Sequence, residues 1–118
     1  MDGVYLGVDV GTSSTKGVLV DHAGTVIAQT SRQHRVDNPR PGQFEMDGAV
    51  WWDEFVSITG ELLRSTGATV AAVGVSGMGP CVQLTDADNT PTTKSALYGV
   101  DMRATAEIDE LDDELGAE

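Results

Sequence analysis

The chain has 118 residues and a formal charge of −12, with 19 acidic residues against seven basic ones. A chain of this length forms one domain or part of one, and its acidic balance argues against a nucleic-acid partner, because no basic cluster is present to neutralise phosphates. A single cysteine excludes an internal disulfide, and without a long apolar run or a basic, apolar leader we expect a cytoplasmic protein with no membrane partner.

The first predicted elements are two strands joined by a short polar turn. Residues 4–8 are apolar on both faces, which favours a central strand in a covered sheet. Asp9 stands at the end of this strand, and a second, β-branched run follows at residues 15–20. The turn between them contains one glycine and three hydroxyl side chains, in the order Gly11, Thr12, Ser13 and Ser14.

This turn has two interpretations. Its backbone N–H groups and hydroxyls form a concave set of donors that suits a phosphate chain, with the cation Lys16 close behind. Asp9 then suits a hard, mostly hydrated Mg²⁺. The alternative is a polar β-hairpin whose register is set by Gly11, because short turns of glycine, serine and threonine between strands are common. Spacing alone does not decide between the two.

A third strand is predicted at residues 25–33, after a tight turn in which Gly24 supplies the positive φ. This strand becomes polar toward its end, as an edge strand does. His22 lies in the preceding turn and His34 at the strand's end. Neither has a partner at ligand spacing, so we expect both imidazoles to be solvated.

Residues 36–48 break the strand pattern, and their prolines and glycine predict a loop. A helix then begins with Asp47 as its N-cap and ends at Gly67. One apolar stripe runs along this helix, at Trp51, Phe55, Ile58 and Leu62. This helical spacing favours core packing for Trp51 and Trp52 over a sugar-stacking platform.

A fourth strand is predicted at residues 69–75. It consists almost wholly of small and β-branched residues, so we expect it to be buried and parallel to its neighbour. A second glycine-rich turn follows at residues 76–80, and then a fifth strand at residues 81–85. Cys81, at the start of that strand, is expected to be a small buried hydrophobe.

An acidic segment closes the predicted fifth strand. Residues 86–91 lack the glycine at the sixth position and the later glutamate of a calcium loop, so we predict an ordinary turn. After a short apolar piece at residues 96–98, a final helix is expected to run to Glu118 with little to pack on. Its thin apolar stripe consists of Ile108, Leu111 and Leu115.

The negative charge is concentrated in this final segment, where eight acidic residues after residue 100 accompany a single arginine. The chain contains only two lysines, Lys16 and Lys94. One hypothesis is a source that lives at high salt, where an acidic, lysine-poor surface keeps proteins in solution; the alternative is an ordinary acidic protein. Measuring stability against KCl separates them, since a fold indifferent to molar salt contradicts the first.

The order of elements, three strands, a helix, two strands and a final helix, is typical of the start of a ribonuclease H-like, actin-like ATPase fold. Four blocks stand out along the chain: Gly7-Val8-Asp9-Val10-Gly11-Thr12-Ser13-Ser14-Thr15-Lys16, Gly42-Gln43-Phe44-Glu45-Met46-Asp47 leading into Trp51-Trp52, Gly74-Val75-Ser76-Gly77-Met78, and Asp101-Met102-Arg103. In these blocks, their order and their spacing, the sequence resembles the N-terminal part of the FGGY-family carbohydrate kinases, and within them the xylulokinase-like pentulose kinases.

The resemblance covers nearly all 118 residues but about the first quarter of a full-length family member. It implies an α/β fold with a mixed sheet of about five strands and a crossover helix, forming a truncated N-terminal lobe. Residues 1–118 would then be the N-terminal part of the first lobe, on its sugar-binding side. The second half of that lobe and the C-terminal lobe would be absent.

The resemblance also implies ATP and Mg²⁺ as cofactors of the full-length enzyme. Asp9 would face the Mg²⁺ through water, and Lys16 would stand beside the transferring phosphoryl group. The turn residues Gly11, Thr12, Ser13 and Ser14 would meet the β- and γ-phosphates. Phosphoryl transfer depends mostly on positioning and charge neutralisation, and these groups supply both.

The second turn is where pentulose kinases contact the sugar, and this sequence departs from the family there. Where the family has Gly-Gln-Met-His, the chain reads Gly77-Met78-Gly79-Pro80, so fewer hydrogen bonds to sugar hydroxyls are expected from this turn. Asp101 and Arg103 match the family's Trp-x-Asp-x-Arg, but the tryptophan is missing, and Tyr98 is the candidate to fill its space. The implied substrate residues are Met78, Gly79, Pro80, Tyr98, Asp101 and Arg103.

No catalytic residue is expected within this chain, because the family's general base is an aspartate beyond residue 118. The full-length enzyme would phosphorylate a sugar or polyol, with a pentulose such as xylulose as the first expectation, and this chain alone would be inactive. A sheet face or edge left uncovered by truncation would allow copies to pair, so a homo-oligomer is a further hypothesis.

Two alternatives differ in class. One is a non-catalytic nucleotide-binding module of the actin or chaperone type, which a full-length chain without a later catalytic aspartate would support. The other is a free-standing binding domain, which a reading frame ending at Glu118 would support. A frame that continues through several hundred codons would remove the second.

Overall fold

The computed structural model describes residues 3–116, which form seven strands and two helices. In chain order they are β1 (Val4–Val10), β2 (Ser14–Val20), β3 (Val26–Gln33), β4 (Asp37–Arg40), β5 (Gln43–Met46), α1 (Gly48–Thr66), β6 (Val70–Gly77), β7 (Ser95–Ala96) and α2 (Thr105–Leu115). One sheet has the order β3-β2-β1-β6 and a second has the order β4-β5-β7. β1 pairs antiparallel with β2 and parallel with β6. The predicted mixed sheet with a crossover helix is confirmed, although its strands divide between two sheets.

Strand β1 is central in the larger sheet, as its sequence predicts. Its alternate side chains Val4, Leu6 and Val8 are buried. They belong to one apolar cluster with Leu19 of β2 and with Ile58 and Leu62 of α1. Tyr5 and Asp9 point to the other face and are exposed. The expectation that both faces are covered is therefore wrong for residues 3–116, because α1 packs on one face only.

Helix α1 begins and ends where the sequence predicts. The side chain of Asp47 accepts a hydrogen bond from Ala49 N at 3.0 Å, which satisfies one of the free N–H groups of the first turn. At the other end Gly67 adopts a φ of 66°, and its N–H donates to Leu63 O. Both caps are encoded locally, which is why the sequence reveals them.

The two tryptophans of α1 have different surroundings. Ile58 and Leu62 are buried and Trp51 is half-buried, as the apolar stripe predicts. Trp52 is 66% exposed and stacks on Phe55, with ring centroids 5.7 Å apart. Core packing is therefore wrong for Trp52, because it lies one position off the helix face that meets the sheet.

Residues 36–48 do not form the predicted loop. β4 and β5 make a short antiparallel hairpin, with Arg40 opposite Gln43. Pro39 is accommodated because β4 is an edge strand, and one side of an edge strand has no ladder bonds to lose. Gly42, with a φ of 77°, makes the turn. Proline therefore excludes these residues from the interior of a sheet but not from its edge.

Strand β6 pairs parallel with β1 as predicted, but it is not buried. Val73 and Val75 are 53% and 64% exposed. β6 is the edge of its sheet, and α1 packs over β1, β2 and β3 instead. The composition of a strand shows how hydrophobic it is, but burial also requires another element to cover it. Within residues 3–116, no helix or strand covers β6.

Residues 81–85 do not form the predicted fifth strand. They make isolated bridges instead, Val82 with Ala96 and Thr85 with Pro91. Cys81 is half-buried ahead of them, and its sulfur accepts a hydrogen bond from Tyr98 N at 3.5 Å. The cysteine is therefore neither at a strand start nor fully buried.

The acidic segment at residues 86–91 turns as predicted. Asp86 Oδ1 accepts hydrogen bonds from Asp88 N and Thr90 N, both at 2.9 Å. One carboxylate thereby organises the turn from within.

Helix α2 follows, and its apolar stripe is exposed, in agreement with the expectation of little to pack on. The predicted end at Glu118 lies outside the described residues. Over residues 3–116, neither helix is long and apolar enough to cross a membrane.

Candidate functional site

The turn between β1 and β2, residues 11–14, is tightly closed, and we call it the phosphate turn below. Gly11 N donates to Ser14 O at 2.9 Å. A Cβ on Gly11 would itself lie 2.9 Å from that carbonyl oxygen, so only glycine fits. Thr12 and Ser13 are exposed at the tip, and among the described residues their N–H groups meet no acceptor. The turn is thus a tight hairpin that also presents free donors, so the two interpretations of its sequence are compatible.

Asp9 and Lys16 lie side by side on the open face of the sheet. They are paired in the β1–β2 ladder, so their side chains leave the same face. Asp9 Oδ1 accepts a hydrogen bond from Ser76 Oγ at 2.8 Å, which fixes the carboxylate and leaves its second oxygen toward solvent. Within residues 3–116, Lys16 forms no ion pair. Both charged groups are therefore available to a ligand.

The donor set at Asp9 fits a magnesium ion. Mg²⁺ is usually held by one or two carboxylates, with water and substrate phosphates completing its octahedron. The structure provides one exposed carboxylate with a free oxygen next to the phosphate turn, and over residues 3–116 no cluster of three or more metal-ligating side chains occurs. Such a site needs the phosphates to be complete.

The second glycine-rich turn lies against the phosphate turn. Thr12 Oγ1 donates to Met78 Sδ at 3.4 Å, and Met78 N donates to Val10 O at 3.2 Å. Both turns follow the carboxyl ends of β1 and β6, which are parallel neighbours. The carboxyl ends of adjacent parallel strands are where ligands bind in open α/β sheets. Met78, one of the expected substrate residues, thus contacts the phosphate turn.

Asp101 and Arg103 are engaged with each other. Arg103 donates to both carboxylate oxygens of Asp101 and, through Nη2, to Glu45 Oε2 at 3.0 Å. Phe44 N donates to Asp101 Oδ2 at 2.7 Å. The Arg103 hydrogen bond holds the pKa of Asp101 well below its ordinary value, and the Asp101 carboxylate raises the pKa of Arg103. This network joins the segment before α2 to β5.

A mostly apolar groove brings together four of the expected substrate residues. It is lined by Pro80, Tyr98, Asp101 and Arg103, with Met102 and Ile108 beside them. Tyr98 is 59% exposed. Met78 and Gly79 are not part of its lining. The structure therefore separates the expected substrate residues into a groove set and the second turn.

His34 is not solvated, and the expectation for it is wrong. Its side chain is 4% exposed, and its ring bonds to Glu54 on one side and to Gly11 O on the other. His22 is exposed as expected, in contact with the Tyr5 hydroxyl at 3.1 Å. Sequence reasoning missed His34 and Glu54 because the partners of the ring lie 20 residues later and 23 residues earlier in the chain.

The chain resembles known proteins along nearly its whole length. The sequence profile of the N-terminal domain of the FGGY family of carbohydrate kinases matches residues 4–118. A xylulose kinase from Lactococcus lactis is 31% identical over 114 residues, which cover 94% of this chain and 23% of that protein. A glycerol kinase from Beutenbergia cavernae is 27% identical over 96% of this chain and 23% of that protein.

The fold matches as well. The crystal structure of a xylulose kinase from Rhodospirillum rubrum superposes with a TM-score of 0.89 at 34% identity, over 94% of this chain and 23% of that one. The expected actin-like ATPase fold of the sugar kinases is thereby confirmed. The chain spans 23% of the length of these relatives. Because the family profile matches residues 4–118, the chain belongs to the FGGY family of carbohydrate kinases, to its N-terminal domain.

Proposed function

We propose that the chain is the N-terminal part of a longer kinase that transfers a phosphoryl group from ATP to a sugar or polyol. The observation that carries this proposal is the pair of free N–H donors at Thr12 and Ser13, beside the exposed charges of Asp9 and Lys16. These groups lie together at the carboxyl ends of β1 and β6.

In this proposal the chain binds the phosphates and leaves the chemistry of the acceptor to the remainder of the protein. The free N–H groups of the phosphate turn bind the β- and γ-phosphate oxygens, and Lys16 neutralises charge on the transferring group. Asp9 would hold a Mg²⁺ through water, and the ion would supply positive charge that offsets the phosphates.

The rest of the enzyme is proposed to lie beyond this chain. Family members require a general base that removes the proton from the attacking hydroxyl, and no carboxylate here matches that motif. The exposed side chains of Val73 and Val75 in β6 support the proposal that another part of the protein covers this face of the sheet. We therefore expect the isolated 118-residue chain to be inactive, and to self-associate through this surface if it remains uncovered.

A pentulose such as xylulose is the first proposed substrate. Xylulose kinases at 31% and 34% identity over 94% of this chain support it, whereas a glycerol kinase that covers 96% of the chain is 27% identical and one at 36% identity covers only 62% of it. The second turn supplies a thioether, a glycine and a proline where polar side chains are expected, so hydroxyl recognition would fall to other residues. Tyr98 in the groove offers a phenolic hydroxyl for this purpose.

The test uses the full-length protein with MgATP and a panel of pentoses, hexoses and polyols. Asp9→Ala should lower kcat by about a hundredfold or more, because it removes a charge that acts on the phosphates. Asp53→Ala, on the exposed side of α1, is the matched control and should have no effect. Near-normal turnover by Asp9→Ala, or no ATP-dependent transfer to any acceptor by the wild-type protein, refutes the proposal.

A further inference from the structure

A buried polar chain runs beneath the phosphate turn. His34 Nε2 lies 2.9 Å from Gly11 O, and His34 Nδ1 lies 2.9 Å from Glu54 Oε2. Thr15 Oγ1 donates to the same Glu54 oxygen at 2.6 Å. The side chains of His34 and Glu54 are 4% and 11% exposed, and Thr15 is fully buried. Three polar side chains thus form one hydrogen-bonded group directly under the turn.

The imidazole is fixed by hydrogen bonds at both ring nitrogens. The Gly11 carbonyl can only accept a hydrogen bond, so Nε2 carries a hydrogen. Nδ1 lies 2.9 and 3.1 Å from the two oxygens of Glu54, so a second hydrogen bond joins the ring to the carboxyl group. The further bond from Thr15 to Glu54 completes the hydrogen bonding of this buried pair, as buried polar groups require.

The same contacts set the direction of the N–H groups in the turn. Across a trans peptide the carbonyl of one residue and the N–H of the next point in opposite directions. The Gly11–Thr12 bond is trans, and His34 holds the Gly11 carbonyl inward. The N–H of Thr12 therefore points away from His34. The backbone N–H of His34 anchors the far side of the turn, donating to Ser13 O at 3.0 Å.

We propose that His34 and Glu54 are positioning residues for the phosphate turn: their buried, hydrogen-bonded side chains hold the Gly11 carbonyl inward, so that the Thr12 N–H is presented to a phosphate. This inference rests on the proposed function of the turn. Neither residue reaches the open face, so they act through the backbone of Gly11 and not on the ligand.

The experiment compares variants of the full-length protein by kinetics and by hydrogen–deuterium exchange of the turn. His34→Leu and Glu54→Ala should raise KM for ATP about tenfold while KM for the sugar stays unchanged. Glu54→Gln, in contrast to Glu54→Ala, should keep KM for ATP near the wild-type value. Its amide can donate to Nδ1 of a neutral ring, leaving Nε2–H for Gly11 and the amide oxygen for Thr15.

A fourth variant covers the case in which the single changes unfold the protein. Combining Thr15→Val, His34→Leu and Glu54→Leu replaces the whole polar chain by apolar groups, which is often tolerated. This variant should fold, show raised KM for ATP, and exchange the two hydrogen-bonded amides that close the turn, those of residues 11 and 34, about tenfold faster than the wild type without nucleotide. Glu61→Gln is the matched control, since it breaks the exposed ion pair of Arg32 with α1 and leaves the turn untouched.

The outcomes separate the two proposals. A folded triple variant with wild-type exchange at the amides of residues 11 and 34 overturns the positioning role, and so does a Glu54→Gln variant as impaired as Glu54→Ala. A wild-type protein without ATP-dependent transfer overturns the proposed function alone, because exchange of the turn still reports whether His34 and Glu54 hold it.

Discussion

The region formed by β1, β2, β3 and α1 is held together by apolar packing, whereas the region from residue 78 onward leaves most of its large apolar side chains exposed and is joined to the rest by backbone and charged hydrogen bonds. In the first region the buried side chains form one cluster, which consists of Val4, Leu6, Val8, Leu19, Ile58 and Leu62. In the second, the large apolar side chains Val82, Leu84, Tyr98, Ile108, Leu111 and Leu115 are each more than half exposed. There Arg103 joins Asp101 to Glu45.

This difference separates the two parts of the candidate site. The phosphate turn rests on the packed region and is supported from below by His34 and Glu54. The groove of Pro80 and Tyr98 lies in the second region, where few apolar groups are covered. The turn at residues 11–14 thus rests on covered apolar side chains, whereas the groove lies among exposed ones.

The largest expected effect is the loss of a core side chain from the packed region. Leu19→Ala should lower the free energy of unfolding of this chain by about 2–5 kcal/mol, because Leu19 is fully buried and its truncation leaves a cavity. Leu115→Ala removes the same atoms from a side chain that is 80% exposed and should change the free energy by less than about 0.5 kcal/mol. Urea unfolding measures both, and equal effects would contradict the division into two regions.

A glycine pair sharpens the same comparison. A Cβ on Gly17 of β2 would lie 2.2 Å from Ile58 Cγ2, whereas nothing lies within 4 Å of a Cβ on Gly74 of β6. Gly17→Ala should therefore destabilise the fold by about 1–3 kcal/mol, because α1 must move off the sheet. Gly74→Ala should be close to neutral.

Shortening Ile58 of α1 tests whether its side chain is what makes Gly17→Ala destabilising. Adding Ile58→Ala to Gly17→Ala should cost less than the sum of the two single changes, because the methyl group that clashes is gone. Additive effects in this double-mutant cycle would show that the close approach of α1 to β2 is not what makes glycine necessary at position 17.

The parts of the fold that sequence predicted are those encoded by neighbouring residues. The caps Asp47 and Gly67 lie at the ends of a helix with an evident stripe, and the alternation in β1 follows from its own residues. The tight turn at residues 11–14 was likewise predictable, since its glycine and hydroxyls are contiguous, and its role toward phosphate stays a prediction. The hairpin of β4 and β5 was missed because Pro39 excludes a strand only where the sheet continues on both sides.

What sequence did not reveal depends on distant partners. His34 looked solvated because Glu54 and Gly11, which enclose it, are far away in the chain. Val75 looked buried because apolar composition does not say whether an element covers it. Asp101 was expected at the sugar, and its bonds to Arg103 and to Phe44 N, 57 residues earlier, appear only in three dimensions. Its role toward a substrate stays a prediction.

The smallest effect concerns the charged region and is local. Arg103 lowers the pKa of Asp101 in the folded chain below the ordinary value of about 3.9. The ionised carboxylate therefore stabilises the fold at every pH above that value, and this contribution is lost as the pH falls below about 3.9 toward the lowered pKa. Carboxylates with a lowered pKa also occur in the packed region, at Asp21 and Glu61, so the titration has to be followed at Asp101 itself.

The amide proton of Phe44 reports on this titration, because it donates directly to Asp101. Its NMR shift should stay constant from neutral pH to about pH 4 and change only in stronger acid, since the pKa of Asp101 lies below the ordinary range. Asp101→Asn should abolish the change, and Asp113→Asn on the exposed helix α2 should leave it in place. A titration midpoint near pH 4 would mean that Arg103 does not bind Asp101 in solution. The hydrogen bonds of Arg103 would then not stabilise the second region.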